Sequence, residues 1–159
     1  MNASRRDRPR RHRRGASQTH ALGEWPALEA LRHRPHLVRE VLLDPALTGA
    51  RRARIEAAAQ AAWVTYRDDE PRLRALRHRS DARALALLGT ETDRLRSECD
   101  HLALLGTRSP GNLGVVLRSA LGFDVRDIAL VDSLLDPWSP HVLRASQGAR
   151  FALHVGAAE

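Results

Sequence analysis

Three short apolar runs, HLALLG (101–106), VRDIALVD (125–132) and ARFALHV (149–155), alternate with two stretches that carry helix signals. This order constrains the fold more than any other feature of the chain. A strand–helix–strand–helix–strand succession implies a parallel sheet with right-handed crossovers, because parallel neighbours need a long connection packed on one face. In the second helical stretch, SPHVLRASQG, Ser139 is the expected N-cap, Pro140 the first helical residue and Gly148 the terminator. The first, RSPGNLGVVLRSA (108–120), reads as a Pro110-Gly111 turn followed by Asn112 placed to cap a helix. Arg118 then falls about one turn into that helix.

Upstream, residues 21–88 also alternate. WPALEALRHR predicts a helix with Pro26 in its first turn, and HLVREVLLD a strand ending at Asp44-Pro45. TGARRARIEAAAQAAW predicts a helix starting at Thr48, WVTYR a short strand, and DDEPRLRALRHR a helix with acids in its first turn. ARALALLG fits strand or helix. The expected unit is a small α/β layer structure. TETDRLRSECD (90–100) is polar and is expected to connect it to the parallel sheet, so the chain divides into a tail (1–20), a first domain (21–88), a linker (89–100) and a second domain (101–159).

Charge adds one feature. The formal net charge is +7, but residues 1–14 alone hold seven Arg against one Asp. The rest of the chain is almost neutral, so the basic signal is a tail, expected to be disordered. It suits either solvent exposure alone or non-specific attraction to RNA phosphates. All 26 basic residues are Arg, which together with the abundant Ala fits a GC-rich coding bias and weakens any argument from arginine geometry alone. The single cysteine, Cys99, excludes an internal disulfide framework and a cysteine-rich zinc site. The eight His show no convincing ligand spacing, since His33 and His36 lie among Arg and Pro, so no metal is expected. No apolar run reaches membrane-spanning length and no secretory leader is visible, so a cytoplasmic location is expected.

Open parallel sheets bind ligands beyond the carboxyl ends of their strands, and the loop 107–113 lies at such an end. Gly114 and Arg118, four residues apart, share a helix face. Gly114 is therefore expected to leave open space beside the Arg118 stem. Near a helix N-terminus, a guanidinium adds to the anion-attracting field of the free N–H groups. Two readings stay open for Arg118: a bound phosphate or carboxylate, or an ion pair with a nearby acid such as Asp132.

The same residues resemble a known family. NLGVVLR reproduces the Asn-x-Gly-x-x-x-Arg motif of the SpoU (TrmH-like) RNA 2′-O-ribose methyltransferases of the SPOUT superfamily, with Asn112, Gly114 and Arg118 in place. The flanks SPGNLGVVLRSALGF and IALVDSLLDPWSPHVLRASQGARFALHV are similar to the segments that surround and follow that motif, so the resemblance covers residues 101–155. ALGEWPALEALRHRPHLVREVLL resembles the start of the L30e-like substrate-binding domain found upstream in this family. The resemblance implies an α/β fold class: a small L30e-like domain, then the N-terminal half of a SPOUT parallel-sheet domain. It implies methyl transfer from S-adenosylmethionine to a ribose 2′-hydroxyl of rRNA or tRNA. Arg118 would bind the adjacent phosphate and assist deprotonation, Asn112 would orient it, and Gly114, Arg144 and Ser146 would shape the RNA-facing wall. A guanidinium at its ordinary pKa is a poor base, so an electrostatic role fits better unless burial intervenes.

The chain departs from the family after HVGAAE. The two later motifs, which build the knot and most of the methyl-donor pocket, are absent, and no cofactor-binding residue is identifiable. Three expectations follow: a truncated or split SpoU-type enzyme, inactive alone and completed by another chain, with a homodimer or a complementing C-terminal chain as the expected protein partner; a non-catalytic RNA-binding protein; or an unrelated nucleotide-binding α/β domain. A sheet of three parallel strands also leaves an open edge and an apolar face.

Overall fold

The computed structural model describes residues 13–77 and 80–158. The first unit is a mixed sheet with helices on it. Its elements are β1 (Gln18–Leu22), α1 (Glu24–His33), β2 (Val38–Leu43), α2 (Gly49–Ala61), β3 (Thr65–Asp68), α3 (Glu70–Arg77) and β4 (Ala84–Gly89). The strand order is β1-β4-β2-β3, with β4 antiparallel to both neighbours and β3 parallel to β2. ARALALLG is thus a central strand, consistent with its burial on both faces: Ala84, Leu85, Ala86 and Leu88 are all buried.

The tail expected to reach residue 20 is shorter than that. Residues 18–20 belong to β1, and Thr19 is buried with its hydroxyl donating to the Trp138 carbonyl at 2.7 Å. Its Arg-rich part, residues 1–12, lies outside the described residues.

The second unit has the expected parallel sheet. β5 (His101–Leu105), β6 (Asp127–Val131) and β7 (His154–Ala158) pair in that order, with α4 (Pro110–Gly122) and α5 (Pro140–Ala145) as crossovers. The last strand starts later than the sequence pattern suggested. Ala149–Ala152 form a 3₁₀ turn instead, whose Ala149, Arg150 and Phe151 are buried. Those residues are apolar-facing because they pack into the other unit, not because they extend a sheet.

Leu113, Leu117, Ile128, Leu130, Val142, Leu153 and Val155 form the core between α4, α5 and one sheet face. The register aligns Ala103, Ala129 and Gly156 on the opposite face. Leu95 covers that face at Gly156, where an added Cβ would lie 3.2 Å from the leucine Cγ. At β5 the face is open: Ala103 and Leu105 are exposed, the leucine by 73%. The exposed apolar face expected of three parallel strands is therefore at β5, which with β7 forms the two edges of the sheet.

The two units share a core. Trp138, Leu143 and Phe151 cluster with Ala27, Leu31, Val41 and Ile55 of the first sheet layer. Residues 89–100 do more than connect. The Trp138 indole N–H donates to the Glu91 carbonyl at 2.7 Å, Asp93 meets Arg34 and Arg150, and Asp127, fully buried, receives the Arg96 backbone N–H and guanidinium. Burial pushes the Asp127 carboxyl up, but the Arg96 bonds outweigh it and hold it below its ordinary value.

Candidate RNA-facing site

The site lies at the carboxyl ends of β5 and β6. Gly106, at φ 60°, takes a left-handed turn out of β5 and its N–H bonds the Val131 carbonyl. The Ser133 hydroxyl donates to the Thr107 carbonyl at 2.8 Å and accepts the Leu135 N–H. The two loops are thus tied together, and the first delivers the chain into α4 in a fixed direction.

Helix α4 begins three residues earlier than the sequence reading placed it. Ser109 is the cap, its hydroxyl accepting the Asn112 N–H at 3.3 Å. Pro110 and Gly111 are the first helical turn rather than a preceding turn. Asn112 therefore sits inside the helix with an exposed side chain and caps nothing. The earlier start also moves Arg118 into the second half of the helix, about 12 Å along the axis from its first residue. The N-terminal field no longer bears on it, because that field fades within the first turn.

Gly114 has a different role from the one expected. The space where its side chain would be is occupied by α5: an added Cβ would lie 2.4 Å from Ala145 Cβ and 2.7 Å from the Ser146 nitrogen. The glycine lets α4 and α5 approach backbone to backbone, and it is buried. Arg118, one turn further on the same face, is exposed. The alternative pairing with Asp132 is not made, and among the described residues Arg118 has no ion-pair partner.

Helix α5 forms as read from Ser139 and Pro140, with the Ser139 hydroxyl accepting the Val142 N–H. It ends in a Schellman arrangement. The Gly148 N–H reaches the Leu143 carbonyl, the Gln147 N–H reaches that of Arg144, and Gln147 joins Gly148 at positive φ. Gly148 also lies against α1, where a Cβ would fall 2.6 Å from that of Glu29. Ser146 is 1% exposed and its hydroxyl is spent on the Leu143 carbonyl, so it does not reach an RNA-facing surface. Arg144 is exposed, and its side chain borders two clefts. One, at the start of α4, is lined by Pro110, Gly111, His141, Arg144, Ala145 and Gln147. The other, of about 530 Å³, opens between α5 and the first unit. His141 and Gln147 escaped the sequence reading, although Gln147 lies within RASQG (144–148) and His141 three residues before it.

S-adenosylmethionine, the donor implied by the resemblance, does not fit these residues. Its sulfonium is a cation, and the cleft at the start of α4 presents Arg144 and His141 with no carboxylate in its lining. No group of His, Cys, Asp and Glu among the described residues is placed to hold a metal, and no helix there is long and apolar enough to cross a membrane.

Comparison with known proteins agrees with this geometry. Residues 100–158 match the SpoU rRNA Methylase family. The chain is 44% identical over 57 residues to rRNA methyltransferase 3, mitochondrial, of Homo sapiens, a stretch covering 36% of this chain and 12% of that protein. It is 44% identical over 52 residues to an uncharacterized tRNA/rRNA methyltransferase of Synechocystis, covering 33% and 19%. Among solved structures, an RNA 2′-O ribose methyltransferase superposes with TM-score 0.70 at 25% identity, over 97% of this chain and 60% of that one. The SpoU methyltransferase AviRb of Streptomyces viridochromogenes does so with TM-score 0.70 at 20% identity, over 89% and 54%. The structural likeness thus spans both sheets, and the chain spans just over half the length of these solved proteins. The expected α/β fold class is the one observed, and residues 100–158 are similar to the SpoU rRNA Methylase family.

Proposed function

We propose that the chain is the RNA-holding part of a SpoU-type 2′-O-ribose methyltransferase acting on rRNA or tRNA. The observation that carries this reading is Arg118. It stands in an Asn-x-Gly-x-x-x-Arg motif after the first strand of a parallel sheet, exposed and without a counter-charge among the described residues. An exposed guanidinium is suited to a backbone phosphate next to the reacting ribose, and its part in transfer is electrostatic stabilisation rather than proton abstraction. S-adenosylmethionine supplies the methyl group when bound. Because these residues do not suit the donor, its pocket is proposed to be completed by further polypeptide seated on the open β5 edge, whether a complementing segment or a second copy. The anion-suited clefts equally favour a second reading, RNA binding without transfer.

The test pairs RNA binding with donor binding. R118A is expected to weaken binding to ribosomal RNA about three- to tenfold and to lower the salt slope by about one. Its melting temperature stays that of the wild type, since the side chain touches no core. Equal affinity and slope would remove Arg118 from the RNA contact. Calorimetric titration of these 159 residues with S-adenosylmethionine is expected to show no binding; tight binding would refute completion by further polypeptide. Tritium transfer to RNA once such a segment is added selects the enzyme over the binding protein.

A further inference from the structure

The cleft between α5 and the first unit takes no part in the SpoU motif, yet its lining is unusual. Trp25, in the first turn of α1, is 58% exposed although it is among the largest apolar side chains of the protein. The Arg54 guanidinium lies 5.7 Å from the centre of its indole ring. Around them stand Arg51, Arg83 and Arg144, with Glu24 and Asp81 as the only acids lining the cleft among the described residues. Glu24 is bound by Arg51, and the Arg83 guanidinium donates to the Ala46 carbonyl at 2.7 Å. Arg54 and Arg144 have no ion-pair partner among the described residues. An exposed indole flanked by two uncommitted guanidiniums is a poor surface for water and a good one for a base with its phosphates. Arg144 also borders the cleft at the start of α4, so the two clefts adjoin.

We propose that Trp25 is a stacking shelf for an unpaired nucleotide of the RNA, one that neighbours the nucleotide presented at α4. The base stacks on the indole and displaces the Arg54 guanidinium, whose contact with the exposed ring is the weaker of the two. Arg54 and Arg144 then meet the phosphates on either side. Duplex RNA cannot make this contact, because its bases stack on each other and its grooves present edges rather than faces. The shelf thus selects a loop or bulge. This inference rests on the RNA reading above, and the experiment below separates the two.

The probe is hexa-adenylate RNA, titrated into the W63F chain. In that variant Trp25 is the exposed indole and Trp138 is buried, so fluorescence quenching reports the shelf. Saturable quenching is expected with hexa-adenylate and none with inorganic polyphosphate, which has charge without bases. W25A in the same background is expected to abolish the quench and to weaken hexa-adenylate binding about tenfold, with W25F restoring most of it. Because Trp25 is mostly exposed, the melting curve of W25A should match that of its parent. Quenching by polyphosphate, or unchanged affinity in W25A, overturns the shelf. If ribosomal RNA still binds through Arg118 in that case, the RNA reading survives without it. Adenosine monophosphate quenching at the same concentration as the hexamer overturns the assignment to an RNA strand, and absence of all RNA binding overturns both.

Discussion

Gly114→Ala should lower the melting temperature of the protein by about 5–12 °C, whereas Arg118→Ala, one turn away, should leave it unchanged. The added methyl carbon would enter a gap that does not exist: Ala145 Cβ stands 2.4 Å away and the Ala145 and Ser146 backbone 2.7 Å away. Neither neighbour is the free end of a flexible chain, so relief requires α5 to move as a body. That motion would pull Val142 and Leu143 out of the two cores they join. Overpacking of this kind costs about 1–3 kcal/mol, and the backbone contacts place this case at the upper end. For a chain of this size, each kcal/mol moves the midpoint by about 2–4 °C. Thermal denaturation followed by circular dichroism checks the value. A G114A midpoint within about 2 °C of the wild type would show that α4 and α5 do not meet at this glycine. A compensating A145G change should recover part of the loss, since it removes one of the two obstacles.

That glycine shows where sequence reading reached its limit. The motif itself was legible, because Asn112, Gly114 and Arg118 are close in the chain. The partner that makes Gly114 necessary lies about thirty residues later, and no local pattern records it. Local signals worked where they were applied evenly. Ser139-Pro140 was read as a cap and first helical residue, and α5 starts there. The identical pair Ser109-Pro110 carries the same signal at α4, but the following glycine and asparagine suggested a turn instead.

Strands were legible in proportion to their apolar runs. HLALLG and VRDIALVD gave β5 and β6, and VREVLL gave β2. QTHAL was missed because it is short, half polar, and forms a strand only by pairing with β4, far along the chain, from Leu22 with Leu85 to Gln18 with Gly89. ARFALHV misled for the opposite reason. Its apolar Ala149 and Phe151 are buried in a 3₁₀ turn, Phe151 in one core with α1 and Trp138, so burial was inferred correctly but extension was not. Arg150 was invisible among 26 arginines, although it is fully buried.

Asp93→Asn should destabilise the protein by about 3–5 kcal/mol, more than any other single change at the junction between the units. The Arg150 guanidinium is 0% exposed, 2.7 Å from one Asp93 oxygen, and stacked 4.1 Å over the Trp138 ring. Burial pushes its pKa down to about 10, while Asp93 pulls the other way. The second Asp93 oxygen meets Arg34 at 3.1 Å, and Arg34 in turn donates to the carbonyls of Phe151 and Leu153. One carboxylate thus stands between two guanidiniums, and removing its charge leaves the buried Arg150 without its ion-pair partner, while Arg34 keeps Glu91. R150M should cost less, because Asp93 keeps Arg34 and the Val155 N–H and the methionine fills most of the volume. The double change D93N/R150M should be milder than the sum of the two, since it removes the stranded cation along with its partner. Chemical denaturation of the four proteins measures the cycle. Strict additivity would mean that Arg150 owes its place to Trp138 and packing alone. The coupling has a functional side as well. Arg144 and Trp25 belong to different units, and the Arg34–Asp93–Arg150 junction helps fix the spacing of the cleft they line. Loosening it by D93N should therefore weaken hexa-adenylate binding even at temperatures where the chain remains folded.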